Sequence, residues 1–160
     1  MKKYDIFHSN YLEDEWIANN LQLPYKGVFV DVGASDAIMR SNTYHFEMNG
    51  WTGLCIEADK YYFGKNASHS YSVKCYKLET ILHKYNMKYI DILDIACRGH
   101  DWKIWNSFDY KKYVPKVIIT EHSARGFERD ERIRDFLLNT GEYDLCCQTE
   151  VTYIFKHKSI

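Results

Sequence analysis

The sequence predicts an α/β fold built on a doubly wound, mostly parallel sheet with a C-terminal antiparallel hairpin. Apolar strand-like runs alternate with amphipathic helix-like runs along most of the chain, which is the pattern of parallel βαβ units. The last two apolar runs have almost nothing between them, so they are expected to form the hairpin. A length of 160 residues suits one domain, which we place over residues 1–160.

Capping residues, glycines and prolines set the limits of the elements. Ser41 or Asn42 is the expected N-cap of the second helix, and Gly141 is the expected C-cap of the last one. Pro24 and Pro115 each precede an apolar run, where proline can close a loop before a strand. The predicted strands are residues 27–33, 52–58, 71–76, 89–97, 115–121, 143–150 and 151–158. The predicted helices are residues 9–21, which can cover one edge of the sheet, and residues 41–50, 59–67, 77–86, 101–108 and 127–141.

Composition argues against several classes of function. The formal net charge is −1 and the pI is near 6.6, which offers no electrostatic footprint for nucleic acid or an anionic membrane. The N-terminal residues lack the apolar stretch of a signal peptide, and no apolar run approaches the roughly 20 residues that span a bilayer. We therefore expect a cytoplasmic protein that acts on a small molecule.

Cysteine and histidine patterns predict neither disulfides nor a metal site. The five cysteines are odd in number and contain no C-x-x-C pair, so they are expected to be buried, reduced thiols. The seven histidines show no metal-ligand spacing.

Two carboxylates mark the first two strands as the walls of a ligand site. Asp31 lies inside the most apolar run, which turns at Gly33, and Glu57 ends the next strand at the same rim of the sheet. Ligands of open parallel sheets bind beyond the carboxyl ends of the strands. Glycine lets the backbone approach a ligand closely, Asp31 can attract an ammonium group, and Glu57 can accept both hydroxyls of a ribose.

The missing motifs narrow the choice of ligand. The segment "GASDAI" keeps only the first glycine of G-x-G-x-x-G, and no G-x-x-x-x-G-K-[ST] loop occurs. This weighs against NAD, FAD and ATP, and it favours S-adenosylmethionine (SAM), which has a ribose and a charged amino-acid tail. The alternative is that Asp31 and Glu57 only cap loops.

These residues also resemble a known family. The segments "FVDVGASD" and "SNTYHFEMNGWTGLCIEAD" resemble the SAM-binding half of FkbM-type methyltransferases. Ser9, Asn10, Glu13 and Asp14 partly match the early SQ-x-G-E-D element of that family, and later segments follow in family order over nearly the whole chain. The resemblance implies a Rossmann-like class I methyltransferase fold and methyl transfer to a hydroxyl of a sugar or another small metabolite.

The resemblance also assigns roles to individual residues. Asp31, Gly33 and Ser35 would line the methionine end of SAM, and Glu57 would hold its ribose. Ser41 and Asn42 would lie at the start of a helix near the SAM carboxylate. Glu121 would face the substrate, where it or the adjacent His122 is the candidate general base. A histidine at such a position is more often structural, and methyl transfer depends mainly on alignment of the reactants.

The chain departs from the family at the end of the strand predicted at 89–97. The family has I-D-x-E-G there, whereas this chain has Ala96 and Arg98 at the two acidic positions. Asp94 lies two residues earlier, about 6–7 Å upstream on the same face, so it is a cofactor-binding candidate but not a direct substitute for the missing acid. The leading hypothesis is an O-methyltransferase. The alternative is a degenerate, non-catalytic relative used for binding or assembly. A third hypothesis is that Arg98 adapts the site to an anionic ligand or to different chemistry on SAM.

Overall fold

The computed structural model describes residues 6–58, 74–123 and 128–160. Its strands are β1 (Val28–Val32), β2 (Thr52–Ile56), β3 (Ile92–Ile95), β4 (Val117–Glu121), β5 (Tyr143–Gln148) and β6 (Thr152–His157). Its helices are α1 (Glu13–Asn20), α2 (Tyr44–Met48), α3 (Leu78–Lys84), α4 (Asp101–Trp105), α5 (Tyr110–Tyr113) and α6 (Arg132–Thr140). The buried strands consist largely of β-branched, leucine and aromatic residues, which suit a pleated surface covered on both faces.

The strands form one mixed sheet of six strands in the order β2-β1-β3-β4-β6-β5. The neighbours β2, β1, β3 and β4 are parallel, whereas β6 is antiparallel to both β4 and β5. The predicted α/β class, the parallel part of the sheet and the C-terminal hairpin are therefore confirmed. The chain leaves β1 toward β2 on one side and returns to β3 on the other, so the strand order reverses between β1 and β3.

Helices cover both faces of this sheet. On one face, which we call face 1, α3, α4 and α6 contribute to a buried cluster that includes Leu82, Trp105 and Leu137. On the opposite face, face 2, α1 and α2 contribute Ile17 and Phe46 to a second buried cluster.

The leading helix α1 covers a face of the sheet rather than an edge. Ile17 is fully buried in the same cluster as Ile92 and Ile154, which lie on the inner strands β3 and β6. The sequence prediction for its position is wrong, because an apolar residue in the middle of the helix buries more surface against the inner strands than at an edge.

Several elements differ in extent from the sequence prediction. Helix α2 begins at Tyr44, because Ser41 Oγ accepts the backbone N–H groups of Thr43 and Tyr44 and holds the preceding residues in a capping turn. Gly141 ends α6 with φ 71°, as its predicted capping role requires. Residues 74–76 are not in a strand. The rest of the predicted strand 71–76 and the whole of the predicted helix 59–67 lie outside the described residues.

The five cysteines form no disulfide, but the prediction that they are buried is wrong. Cys55 and Cys75 are exposed, and the others are half-buried. Cys55 lies on β2 at the edge of the sheet, where an apolar run does not imply a buried strand. Within the described residues, no helix has the length and apolarity needed to cross a membrane.

Candidate functional site

A cavity of about 320 Å³ opens at the carboxyl ends of β1, β3 and β4, at the point where the strand order reverses. This is where ligands bind in open α/β sheets. We call it the rim cavity. Seven of the nine predicted site residues line it: Asp31, Gly33, Ser35, Ser41, Asn42, Asp94 and Glu121. The remaining two, Glu57 and His122, do not.

The turn after β1 brings the backbone against the end of β3. Gly33 has φ 93°, and a Cβ at this position would lie 2.3 Å from the carbonyl oxygen of Ala96. The N–H groups of Gly33 and Ala34 both donate to the carbonyl of Ile56, at 2.8 and 3.2 Å. The turn therefore requires glycine, and it fixes the entrance to the rim cavity between β1 and β3.

The segment that leads into α2 binds the two carboxyl groups on the floor of the rim cavity. Thr43 Oγ1 donates to Asp31 Oδ2 at 2.7 Å, and Asn42 Nδ2 donates to Asp94 Oδ2 at 2.9 Å. Both aspartates are almost completely buried, with 3% and 2% of their surface exposed. Asn42 and Thr43 thus act as positioning residues for carboxyl groups on two different strands.

Burial governs the protonation of these two groups. It raises the pKa of Asp31 to about 6, with a further increase from the nearby charge of Glu57. Burial also raises the pKa of Asp94 well above its usual range, and the charge of Asp31 adds to this effect. The hydrogen bonds from Thr43 and Asn42 oppose these increases but do not cancel them.

The loop after β3 is held by carboxylates at the same rim. Glu121, at the end of β4, accepts the backbone N–H of Arg98 at 2.8 Å. Asp101 accepts the N–H groups of Cys97 and Gly99 at 3.3 and 3.2 Å. Burial raises the pKa of Glu121 and raises that of Asp101 to about 6. Both groups can therefore bind a proton closer to neutral pH than an ordinary carboxylate.

Glu57 lies behind the cavity wall rather than in it. Its Oε2 accepts the backbone N–H of Ser35 at 2.9 Å, and its Oε1 accepts that of Ala58 at 2.6 Å. Ser35 itself lines the cavity and has φ 55°, an uncommon conformation for a residue with a side chain. Glu57 therefore positions the cavity loop through the backbone of Ser35.

His122 lies on face 1, away from the rim cavity. Its ring packs against the ring of Tyr153 at a centroid distance of 4.2 Å, and only 2% of the residue is exposed. Burial and the nearby Arg129 lower its pKa. Successive side chains of a strand point to opposite faces, so Glu121 reaches the cavity and its neighbour cannot. The structure gives His122 no place in a catalytic site at the rim.

Some cavity residues are not predicted from the sequence. Met39 and Arg40 line the cavity from an irregular loop, which has no periodic pattern to identify its inner face. Asn10 also lines it, because Ser9 pairs with Arg40 in an isolated parallel bridge. This N-terminal segment is anchored by buried Asp14, whose carboxylate accepts the hydroxyl of Ser9 at 2.6 Å. The sequence signal that points to this N-terminal segment is the partial match of Ser9, Asn10, Glu13 and Asp14 to the family's early element.

Comparison with protein-family models, with curated proteins and with solved structures finds no match to this chain. Among the described residues, no group of three or more histidine, cysteine, aspartate or glutamate side chains is arranged to hold a metal ion.

Proposed function

We propose that this protein is a SAM-dependent methyltransferase with a Rossmann-like fold, which methylates a hydroxyl group of a small substrate such as a sugar. The observation that carries the proposal is the rim cavity. It lies at the reversal of strand order, and its walls combine a glycine-dependent turn with buried carboxyl groups.

The residues of the rim cavity fit the chemical groups of SAM. Gly33 lines the cavity, and its lack of a Cβ lets this turn pack against the backbone of Ala96 at the cavity entrance. Asp94 Oδ1 is buried and has no hydrogen-bond partner among the described residues, so a donor or cation of a ligand would satisfy it. Asp31, Asp94 and Asn42 would hold the methionine end of SAM. A volume of about 320 Å³ is at the lower end of the roughly 300–1,000 Å³ found for small-molecule sites.

The chain's own groups would orient the acceptor and handle its proton. SAM supplies a reactive methyl group when it is bound, so the protein has to align the acceptor hydroxyl and exclude water. Glu121 is the general-base candidate. It lines the cavity, and its raised pKa makes it a better proton acceptor than an ordinary carboxylate. The N–H of Arg98 fixes one of its oxygens, and the other would accept the proton of the acceptor hydroxyl.

A non-catalytic SAM-binding or assembly protein is the second candidate. It is favoured by one observation, since Ala96 and Arg98 both line the cavity at positions where the family that the sequence resembles has acidic residues. The same fold and cavity would then serve binding alone.

Calorimetry with S-adenosylhomocysteine (SAH), the demethylated product, tests the shared cofactor. We expect binding to the wild-type protein and at least about tenfold weaker binding to Gly33→Ala, because the new Cβ would collide with the carbonyl of Ala96. Gly141→Ala is the matched control. It also replaces a glycine with positive φ, but its Cβ meets no atom within 4 Å, and it should leave binding unchanged. Circular dichroism would show that both variants fold, and failure of the wild-type protein to bind SAH would overturn the proposal.

Product analysis then separates the two candidates. The wild-type protein would be incubated with SAM and a panel of sugars and other hydroxyl-bearing metabolites, and mass spectrometry would detect SAH and the methylated product. Product that depends on Glu121, absent from Glu121→Gln, supports the methyltransferase. Binding of SAM without product from any acceptor supports the non-catalytic alternative.

A further inference from the structure

Asp31 and Asp94 form a buried pair of carboxyl groups. They are register partners in the neighbouring parallel strands β1 and β3, which in a sheet lie about 4.8 Å apart. Both side chains point to face 2, because Phe29 and Ile92, two residues earlier on each strand, belong to the buried cluster there. Both line the rim cavity.

The hydrogen-bond partners of this pair are neutral. Asp31 Oδ2 accepts from the hydroxyl of Thr43, and Asp94 Oδ2 accepts from the amide of Asn42. Asp94 Oδ1 is buried and has no partner among the described residues. None of the ion pairs between described residues includes either aspartate. Two carboxylates buried side by side on neighbouring strands repel each other, so without a nearby positive charge the pair holds a proton.

The charged groups around the pair do not supply that positive charge. Glu13 on α1, Asp101 on α4 and Glu57 after β2 add negative charge to its surroundings, as does Glu121 at the end of β4. The cationic residues that line the cavity, Arg40 and Arg98, are exposed to solvent. The cavity therefore combines an acidic floor with cationic residues only at its exposed rim.

The geometry points to a cation subsite at the Asp31–Asp94 pair, which holds a proton while the cavity is empty and exchanges it for a positive charge of the ligand. The subsite rests on the proposed function, under which the ligand is SAM. SAM offers two positive charges, the sulfonium and the ammonium of the methionine end. Burial raises the pKa of both aspartates, which is consistent with a proton held on the pair near neutral pH.

Proton-linked calorimetry measures this exchange directly. Binding would be measured at pH 6.5 in two buffers with different ionisation enthalpies, so that the difference in heat gives the number of protons released. We expect release of a substantial fraction of one proton per SAM bound. SAH lacks the sulfonium, and 5′-methylthioadenosine lacks both the sulfonium and the ammonium. Release with SAM alone assigns the subsite to the sulfonium, and release with SAM and SAH but not methylthioadenosine assigns it to the ammonium.

A charge-removing variant locates the proton. Asp94→Asn keeps an oxygen that can accept a hydrogen bond, and it should reduce the proton release with SAM at least about threefold while binding is still detectable. Asp91→Asn is the matched control. It removes a buried carboxylate next to the same strand, but Asp91 is bound to Lys116 and Val28 and lies outside the cavity. It should leave the proton release unchanged.

The outcomes separate the two claims. If none of the three ligands binds to the wild-type protein, the proposed function is wrong and the subsite falls with it. If SAM binds without releasing a proton, or if Asp94→Asn releases as much as the wild type, the subsite is wrong and the proposed function stands.

Discussion

Asp31 and Asp94 lie side by side on neighbouring strands, and both carboxyl groups are buried beneath the same cavity. Neither forms an ion pair within the described part of the chain. Buried, unpaired acidic groups destabilise a fold, so their presence is best explained by a ligand that the cavity receives.

Asp31→Asn should therefore stabilise the protein at neutral pH. The pKa of Asp31 rises from 3.8 to about 6 on folding, so the folded state binds this proton more tightly than the unfolded state. The wild type consequently loses stability as the pH rises from about 4 to about 6, and this loss remains above that range. The asparagine variant avoids it and should gain up to about 3 kcal/mol relative to the wild type, the free energy of roughly two pKa units.

Urea unfolding curves between pH 4 and pH 8 would measure the difference in free energy of unfolding. The gain should be smallest near pH 4, where Asp31 is largely protonated in the folded protein. Asp91→Asn serves as the control, because Asp91 is paired with Lys116 at 2.7 Å and its replacement should lower stability. A difference between Asp31→Asn and wild type that does not change with pH would contradict the assignment of the raised pKa to Asp31.

Glu57→Ala should weaken SAH binding by about 1–3 kcal/mol, the usual effect of losing a charged hydrogen-bond partner. Glu57→Gln separates two causes. Glutamine can still accept the N–H of Ser35 and hold the cavity loop, so an indirect role predicts near-normal binding for this variant. A direct contact with the ribose predicts a loss in both variants. Calorimetry would decide, with Glu150→Ala, an exposed residue outside the cavity, as the control. Equal affinity in all four proteins would remove Glu57 from the site.

The five thiols should all be free, and they should differ in reactivity. Thiol titration under denaturing, non-reducing conditions should count five. In the folded protein Cys75 should react early because it is exposed, and Cys97 should react last. Cys97 is half-buried, and burial together with Asp101 and Asp94 raises the pKa of its thiol, which leaves little reactive thiolate. Mass spectrometry after timed alkylation would give the order, and early modification of Cys97 would contradict this picture.

The local features of the site could be predicted from the sequence. A polar residue inside a strongly apolar run is unusual, and this pattern singles out Asp31 as a side chain with a purpose beyond packing. Asp94 is a candidate only through its place two residues before Ala96 in the resemblance to the methyltransferase family. A glycine directly after such a run marked the turn at Gly33. These signals depend only on neighbouring residues, so they do not require knowledge of how distant segments meet.

Contacts between distant segments could not be predicted. The hydrogen bond between Asn42 and Asp94 joins residues 52 positions apart and depends on the register of two strands and a loop. Glu121 and His122 are adjacent in sequence, which makes both of them candidates for the general base, but alternation along the strand puts their side chains on opposite faces. Glu57 follows β2 directly in the sequence, but only the tertiary structure shows that its carboxylate accepts the backbone N–H of Ser35.

The double change Ala96→Asp with Arg98→Glu should favour SAM over SAH. Ala96 lines the rim cavity, and its backbone lies against Gly33, so a carboxylate at this position would enter the cavity above Asp94. The variant makes the cavity more negative and removes the positive charge of Arg98. Only SAM carries a sulfonium, so we expect its affinity to rise about tenfold relative to that of SAH, equivalent to about 1.4 kcal/mol.

Measuring both affinities in the wild type, the double variant and Arg98→Glu alone separates the contribution of the new carboxylate at position 96 from that of the charge change at position 98. The backbone N–H of Arg98, which binds Glu121, is kept in every variant, so the loop should hold its position. An unchanged ratio in a folded double variant would mean that the end of β3 does not face the sulfur of SAM.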